Sequence, residues 1–522
     1  MLVKINSATP YGLEAQPITV EVDIATRGLP SFDIIGLPSK TVDESRHRIK
    51  TALLNLKIDF PSNKKITVNL APADLPKAGS FYDLPISLGI ICLTNNINPP
   101  SKSLFFGEVS LDGSLRHTKG AFLLGLYAQE NGYESIFLPE SNAMEVSSIP
   151  GLKIFPVPNL KALYNHLIGL HSLSYIVGDS AKPVSRKEQS FEVDFKDILG
   201  QEMAKRSLEI AAAGGHNFLM LGPPGVGKTL LSQAFCSILP PLSREESLEV
   251  TKIYSAGGRI PPNGSLIEDR PFRAPHHSIS YAGMVGGGNV PRPGEISLAH
   301  RGVLYMDEFA EFPAPILEML RQPLESGFIT ISRSMGSFDF PCKFILLVSC
   351  NPCPCGFFGS SIKECTCTPG QVRKYRKKLS GPILDRIDLF TILNSVEERD
   401  YLGSVTAGRR DGESSSEVRK RICVAREIQF SRLKKSEEVS PVANPSQIFC
   451  NAEMKNVHIK KYCPLGREEL QFLNKAVSCY SLSARAYFKT IKISRTIADL
   501  AGEEKISIPH ISEALQHRIR EF

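Results

Sequence analysis

The chain contains no tryptophan, and no run of about 18 uncharged apolar residues, the length a membrane-spanning helix needs. Its opening residues, MLVKINSATPYG, lack the apolar stretch of a secretory signal, so a cytoplasmic location is expected. No internal repeat or low-complexity tract is visible, which excludes a collagen-like chain. Neither sign of charge dominates: Lys plus Arg number 61 against 54 Asp plus Glu, a net of +7. That balance permits a nucleic-acid partner without arguing for one, and on charge alone a slightly basic soluble enzyme is the better fit. What the chain does have is 42% hydrophobic and 22% charged residues, the composition of a globular protein rather than a disordered one. Its 522 residues, at roughly 100–200 per domain, imply about three domains. Twelve cysteines without an export signal should be reduced, so their spacing matters more than their number.

Patterning divides the chain. Residues 1–171 read as mixed α and β, with strand-like runs Ile18–Ile24, Phe32–Ile35 and Lys65–Asn69 and helix-like runs Ser39–Leu54 and Leu84–Leu93. Residues 172–191 are polar around a proline and read as a linker. Over 192–395 strands and helices alternate, which implies a mainly parallel sheet covered on both faces. Residues 396–522 look helical, with apolar residues at helical spacing in Val418–Phe430 and Ala484–Leu500. The fold class expected is therefore α/β, preceded by an α+β domain and followed by a helical one.

Gly222-Pro223-Pro224-Gly225-Val226-Gly227-Lys228-Thr229 fits the phosphate-binding pattern G-x-x-x-x-G-K-[ST]. A strand-like run, Asn217–Leu221, precedes it, and Leu230–Leu239 can form a helix after it. Glycines let backbone N–H groups close on phosphates, and the helix start adds positive potential. Lys228 would reach the β- and γ-phosphates of ATP, and the Thr229 hydroxyl would coordinate Mg²⁺. A second hydrophobic strand ends in Asp307-Glu308. Asp307 would bind Mg²⁺ and Glu308 would act as general base on the attacking water. A third strand, Phe344–Ser349, ends near Asn351, whose amide can orient that water.

These motifs, followed by Gly381-Pro382-Ile383-Leu384-Asp385-Arg386-Ile387-Asp388 and by Ser483-Ala484-Arg485, resemble an AAA+ ATPase. Asp197–Glu202, Leu208–Asn217 and Phe272–His277 are similar to the magnesium-chelatase-like clade, and the whole chain resembles the ComM/YifB family. The resemblance implies that Arg386 and Arg485 are arginines of the hydrolytic site. If either serves a neighbour, the enzyme must be an oligomer. Gly107–Gly113 and Gly132–Asn142 resemble the Lon-protease domain of the ribosomal-S5 domain-2-like fold. The positions of its Ser–Lys dyad fall at Phe81 and at or near Phe122, and a phenyl ring can neither attack a carbonyl nor take a proton. Ser80 and Lys119 lie nearby, out of register. The domain would then be a structural or DNA-contacting collar.

Two segments exceed a generic AAA+ core. Tyr254–Asn289, which carries Phe272-Arg273, His276-His277 and Tyr281, resembles a loop inserted in helix 2 that projects into a ring's pore. Phe328–Lys343 alternates on both sides of Ser-Met-Gly and reads as a hairpin with Arg333 near its tip. Cys353-x-Cys355 and Cys365-x-Cys367 can supply four thiolates to a tetrahedral Zn²⁺, or can remain four reduced thiols. The basic run Arg373, Lys374, Arg376, Lys377 and Lys378 suits phosphate contact or a subunit interface. The resemblance implies a hexameric DNA motor of the helicase type, acting with recombination proteins on branched recombination intermediates in natural transformation. The alternative is an AAA+ protein remodeller similar to the magnesium-chelatase motor subunit. An ATP-dependent protease is a third reading, and the missing dyad counts against it.

Overall fold

In the computed structural model of the chain, the described residues are 2–25, 29–75, 77, 79–178, 192–288, 291–333, 336–359, 363–378, 381–394, 412–434 and 448–518. The amino-terminal unit is built on two four-stranded sheets. In the first, Leu2–Tyr11 and Glu14–Ala25 form a long hairpin, Lys65–Ala71 joins it antiparallel, and Ser31–Ile35 is the parallel edge. Alternation places Ile18, Val20 and Val22, and Ile66, Val68 and Leu70, in the core. Helix Asp83–Asn95 is apolar all round and buries ten consecutive residues, Asp83 through Cys92, as a central helix must. Its one charge, Asp83, is met by Arg48 and Ser45.

The structure differs from the sequence pattern at two places here. The single helix expected over Ser39–Leu54 is split into Lys40–Asp43 and Ser45–Asn55. Arg46 Nε takes the Asp43 carbonyl (3.0 Å), and the His47 amide bonds Glu44 three residues back. Ile176–Val177, within the stretch read as linker, adds an edge strand beside Lys153–Val157. Residues 179–191 lie outside the described residues.

The central unit is a five-stranded parallel sheet in the order Phe272–Arg273, Val303–Met306, Ile345–Cys350, Phe218–Leu221, Leu389–Ile392. The three middle strands are almost wholly buried, so they read as continuous apolar runs rather than alternating ones. One face packs on helices Glu202–Gly214 and Lys228–Ile238, together with Val418, Ile422 and Ala425 of helix Ser415–Lys434. The other face packs on Met284, Ile296, Phe309, Phe312, Ile316 and Leu320 and on the hairpin Phe328–Arg333/Gly336–Pro341. The carboxy-terminal helices close their own small core around Leu473 and Ile491. Buried Arg495 and half-buried Arg432 are both paired with Asp499.

The hairpin and the segment before the Val303 strand join the amino-terminal unit. The Tyr11 and Phe338 rings lie 4.7 Å apart. Buried Glu145 accepts from Ser255 Oγ (2.6 Å) and from the Phe122 amide (2.9 Å). Phe122 is fully buried, Ser80 donates to Glu108, and the Lys119 side chain lies against Gly258.

Candidate active site

Parallel strands bring their carboxyl ends to one edge, and that is where the phosphate-binding loop opens. Gly225 and Gly227 have φ of +87° and +89°, a region that L side chains avoid. A Cβ at either would meet nothing within 4 Å, so the loop is an open cradle. Lys228, at the start of the helix, donates to the carbonyls of Gly222 (2.7 Å) and Pro223 (3.3 Å) and to Asn351 Oδ1 (2.6 Å). Burial lowers its pKa, opposed by the charges of Asp307 and Glu308. Thr229 is exposed beside it.

Asp307 and Glu308 follow the Val303–Met306 strand on the same edge. Asp307 Oδ1 accepts from Ser349 Oγ and from the Glu308 amide, and Tyr305 Oη donates to Ser349 (3.2 Å). Glu308 holds φ +49°, uncommon outside glycine, and its side chain is 56% exposed. His277 Nδ1 stands 3.7 Å from its carboxylate. The structure thus brings together Lys228, Asp307, Glu308 and Asn351. Such a constellation can hold a triphosphate with a divalent cation and polarise a water. His277 and Ser349 belong to the same neighbourhood and carried no spacing signal that would have found them.

Arg386 and Arg485 are elsewhere. Arg386 precedes the Leu389–Ile392 strand, and Asn217, before the Phe218–Leu221 strand, donates to its carbonyl (3.0 Å) and to Asp388 (2.9 Å). Both contacts lie at the amino edge of the sheet, a strand of roughly 13 Å away from the phosphate-binding loop at about 3.3 Å per residue. Arg386 and Arg485 meet there on Glu325, the latter at 2.5 Å.

Beyond Asn351 the chain turns into the cysteine loop. The sulfurs of Cys353, Cys355, Cys365 and Cys367 all lie within 4.8 Å of one another, with 3.3 Å between Cys353 and Cys355 and 3.5 Å between Cys355 and Cys365. This donor set suits a tetrahedral thiophilic cation. The loop presses on the phosphate-binding loop: a Cβ at Gly356 would stand 2.6 Å from Pro224 Cδ. The helix Pro369–Lys378 buries Val372 and Tyr375 and exposes Arg373, Lys374, Lys377 and Lys378. Arg376 stacks on Phe358 (4.8 Å), and Lys378 pairs with Glu311 (3.6 Å).

Of the other expected contact residues, Tyr281 is 59% exposed at the start of a five-residue helix. Arg333 pairs in register with Gly336 at the hairpin end, and its guanidinium approaches Gly287. Ser334 and Met335 lie outside the described residues. Phe272–Arg273, expected in a projecting loop, instead forms the edge strand of the sheet. Phe272 stacks on Tyr305 (5.9 Å), and Arg273 is paired with Glu295 (2.5 Å). No helix among the described residues is long and apolar enough to cross a membrane.

Comparison with known proteins places this architecture. The family described as "Magnesium chelatase, subunit ChlI" matches residues 194–401, its carboxy-terminal domain matches 412–518, and "Subunit ChlI of Mg-chelatase" matches 20–142. The competence protein ComM of Haemophilus influenzae is 40% identical over 522 residues, covering 99% of this chain and 97% of its own. The YifB protein of Escherichia coli is 38% identical over 520 residues, covering 98% and 96%. A magnesium-chelatase 38 kDa subunit of Chlorobaculum tepidum is 22% identical over 381 residues, covering 66% and 85%. With a parallel-sheet P-loop core and ComM and YifB relatives 40% and 38% identical over nearly their whole length, the chain belongs to the ComM/YifB family of magnesium-chelatase-like AAA+ proteins.

Proposed function

We propose that the chain is an ATP-driven DNA motor of the helicase or branch-migration type. It works as a homo-oligomeric ring, a hexamer, with each ATP held between neighbours. Lys228 holds the β- and γ-phosphates, Thr229 and Asp307 hold Mg²⁺, and Glu308 takes the proton of a water that Asn351 orients. Arg386 and Arg485 neutralise charge on the neighbour's triphosphate, since their own loop is at the other end of the sheet. Cys353, Cys355, Cys365 and Cys367 hold Zn²⁺, and Tyr281, Arg333 and the basic helix face DNA. Branched recombination intermediates are the substrate, with competence as the setting that the name of the Haemophilus relative suggests.

One observation carries the DNA reading. The exposed basic helix rides on a cysteine loop that begins two residues after Asn351 and packs on Pro224, so a change at the γ-phosphate has a short mechanical route to a phosphate-binding surface. The test is steady-state ATPase of wild type and Glu308→Gln, with and without a four-way DNA junction, alongside gels that follow junction conversion. Glu308→Gln should lower kcat by about 10²–10⁴-fold while ATP still binds. Junction DNA should stimulate wild-type hydrolysis and be converted only by it. ATPase indifferent to DNA, with no conversion, would instead favour a motor that remodels a protein partner.

A further inference from the structure

Glu325 has no part in the nucleotide pocket of its own chain, yet it is where two arginines from distant parts of the sequence converge. Arg386 Nη2 and Arg485 Nη2 both pair with its Oε1 atom. Arg485 comes from the start of helix Ala484–Ala501, 160 residues away. Two guanidinium groups brought to one point repel each other, and a shared carboxylate is what lets them stand together. Two members of the cluster face solvent, with the side chains of Glu325 and Arg485 46% and 56% exposed, while that of Arg386 is only 11% exposed beneath them. The cluster lines a cleft of about 800 Å³ together with Lys489 and Lys492.

The placement of Glu325 adds a second link. It lies in helix Arg321–Ser326, and Gly327, at φ +72°, turns the chain directly into the hairpin Phe328–Arg333/Gly336–Pro341. Ser326 Oγ accepts from the Phe328 amide (3.2 Å), and Cys342 closes the hairpin base on the Gly327 carbonyl (2.8 Å). A displacement of the hairpin base therefore moves the carboxylate on which both arginines rest.

We propose that Glu325 is a positioning residue that gathers Arg386 and Arg485 into one clamp for the neighbouring subunit's triphosphate and ties that clamp to the hairpin. The proposal rests on the shared-site reading above. In it, contact between the hairpin and substrate alters hydrolysis in the next subunit rather than in its own.

Mixed rings test this with two inactive full-length chains. Lys228→Ala lacks a working pocket but donates arginines, and Arg386→Ala has a pocket but donates poorly. Mixed one to one, about a quarter of interfaces pair an intact pocket with an intact donor, so roughly a quarter of the wild-type ATPase rate should return. Glu325→Gln is then added to one chain at a time. On the Lys228→Ala chain it should abolish the rescue, by about tenfold or more. On the Arg386→Ala chain it should leave the rescue intact, because that chain supplies only its pocket. Loss in both arms would mean that Glu325 serves the fold or the pocket, and retention in both would mean that it does not position the arginines. Either result overturns the proposal. Absence of rescue in the parental mixture would refute the shared site itself.

Discussion

If the cysteine loop holds zinc as proposed, the four sulfurs fix what should be seen. Zn²⁺ bonded to each sulfur at about 2.3 Å requires about 3.8 Å between sulfurs in a tetrahedron. The separations of 3.3, 3.6 and 3.5 Å among Cys353, Cys355 and Cys365 need to open by only a few tenths of an ångström. The thiols are already unequal. The Phe357 amide, with help from the Cys353 and Cys367 thiols, lowers Cys355 to about 5. Cys365, although the Cys367 amide favours its thiolate, is driven up to about 12 by desolvation and by Cys355 and Cys353. Zn²⁺ binds thiolates, so its binding displaces the protons that the four sulfurs carry. Metal affinity should therefore rise with pH around neutrality and weaken as pH falls. The assay is metal analysis of the full-length protein, followed by competition with a chromogenic chelator across that pH range. One zinc per chain is expected, Cys365→Ser should weaken retention, and Co²⁺ in its place should give tetrathiolate charge-transfer bands. A folded, metal-free chain with four freely titrating thiols, or an affinity that does not change with pH, would refute the reasoning.

Removing Arg373, Lys374 and Lys377 together by alanine should weaken single-stranded DNA binding and lower the slope of log affinity against log salt by about 2, at roughly 0.7 per phosphate contact. An unchanged slope would take this helix off the DNA path. A second expectation concerns acid stability. Burial opposes ionisation of Glu249, but His300 (3.1 Å) and Arg301 (2.8 Å) outweigh it and hold its carboxyl at about 2. A folded-state value below the unfolded one means that this contribution is complete above about pH 4.5 and disappears as pH falls toward 2. With a side chain 41% exposed, solvent screening leaves about 1–2 kcal/mol. Urea melts of wild type and Glu249→Gln should converge across that window, and a constant gap would contradict the assignment.

Much of the nucleotide pocket was legible because its chemistry sits in contiguous stretches at strand ends. Phe218–Thr229 encodes strand, loop and helix in order, and burial on both faces makes Val303–Met306 and Ile345–Cys350 visible as apolar runs. The hairpin was legible for a different reason. Ile329, Ile331, Phe338 and Phe340 face the core while Thr330, Ser332, Ser337 and Asp339 face outward, so the pattern survives on both sides of the turn. Phe272–Arg273 was misplaced because a two-residue strand has no period to read. The break before Ser45 depends on the Arg46 guanidinium competing for one carbonyl. Glu325 was invisible because nothing in Arg321–Ser326 marks one carboxylate above its neighbours, and its meaning comes from two arginines supplied by other elements.

The polarity of the sheet explains why this architecture would work only as an assembly. Every strand of the central sheet runs the same way, so residues that follow strands and residues that precede them are sorted to opposite edges. Lys228, Asp307, Glu308 and Asn351 follow strands. Arg386 precedes one, and Arg485 is held beside it by Glu325. Side-chain reach cannot close a gap of roughly 13 Å along the length of the strands. On the proposed reading, a lone chain would therefore bind nucleotide with one edge and present an unused cationic clamp on the other. Stacking the clamp edge of one chain on the pocket edge of the next satisfies both at once. Such a head-to-tail contact repeats around a closed ring. The hairpin base, set beside Glu325, would then report to the neighbour's phosphate, while the basic helix on the cysteine loop would report to its own. Two substrate-facing elements would thus read two successive ATP sites, an arrangement in which hydrolysis can pass from subunit to subunit in order.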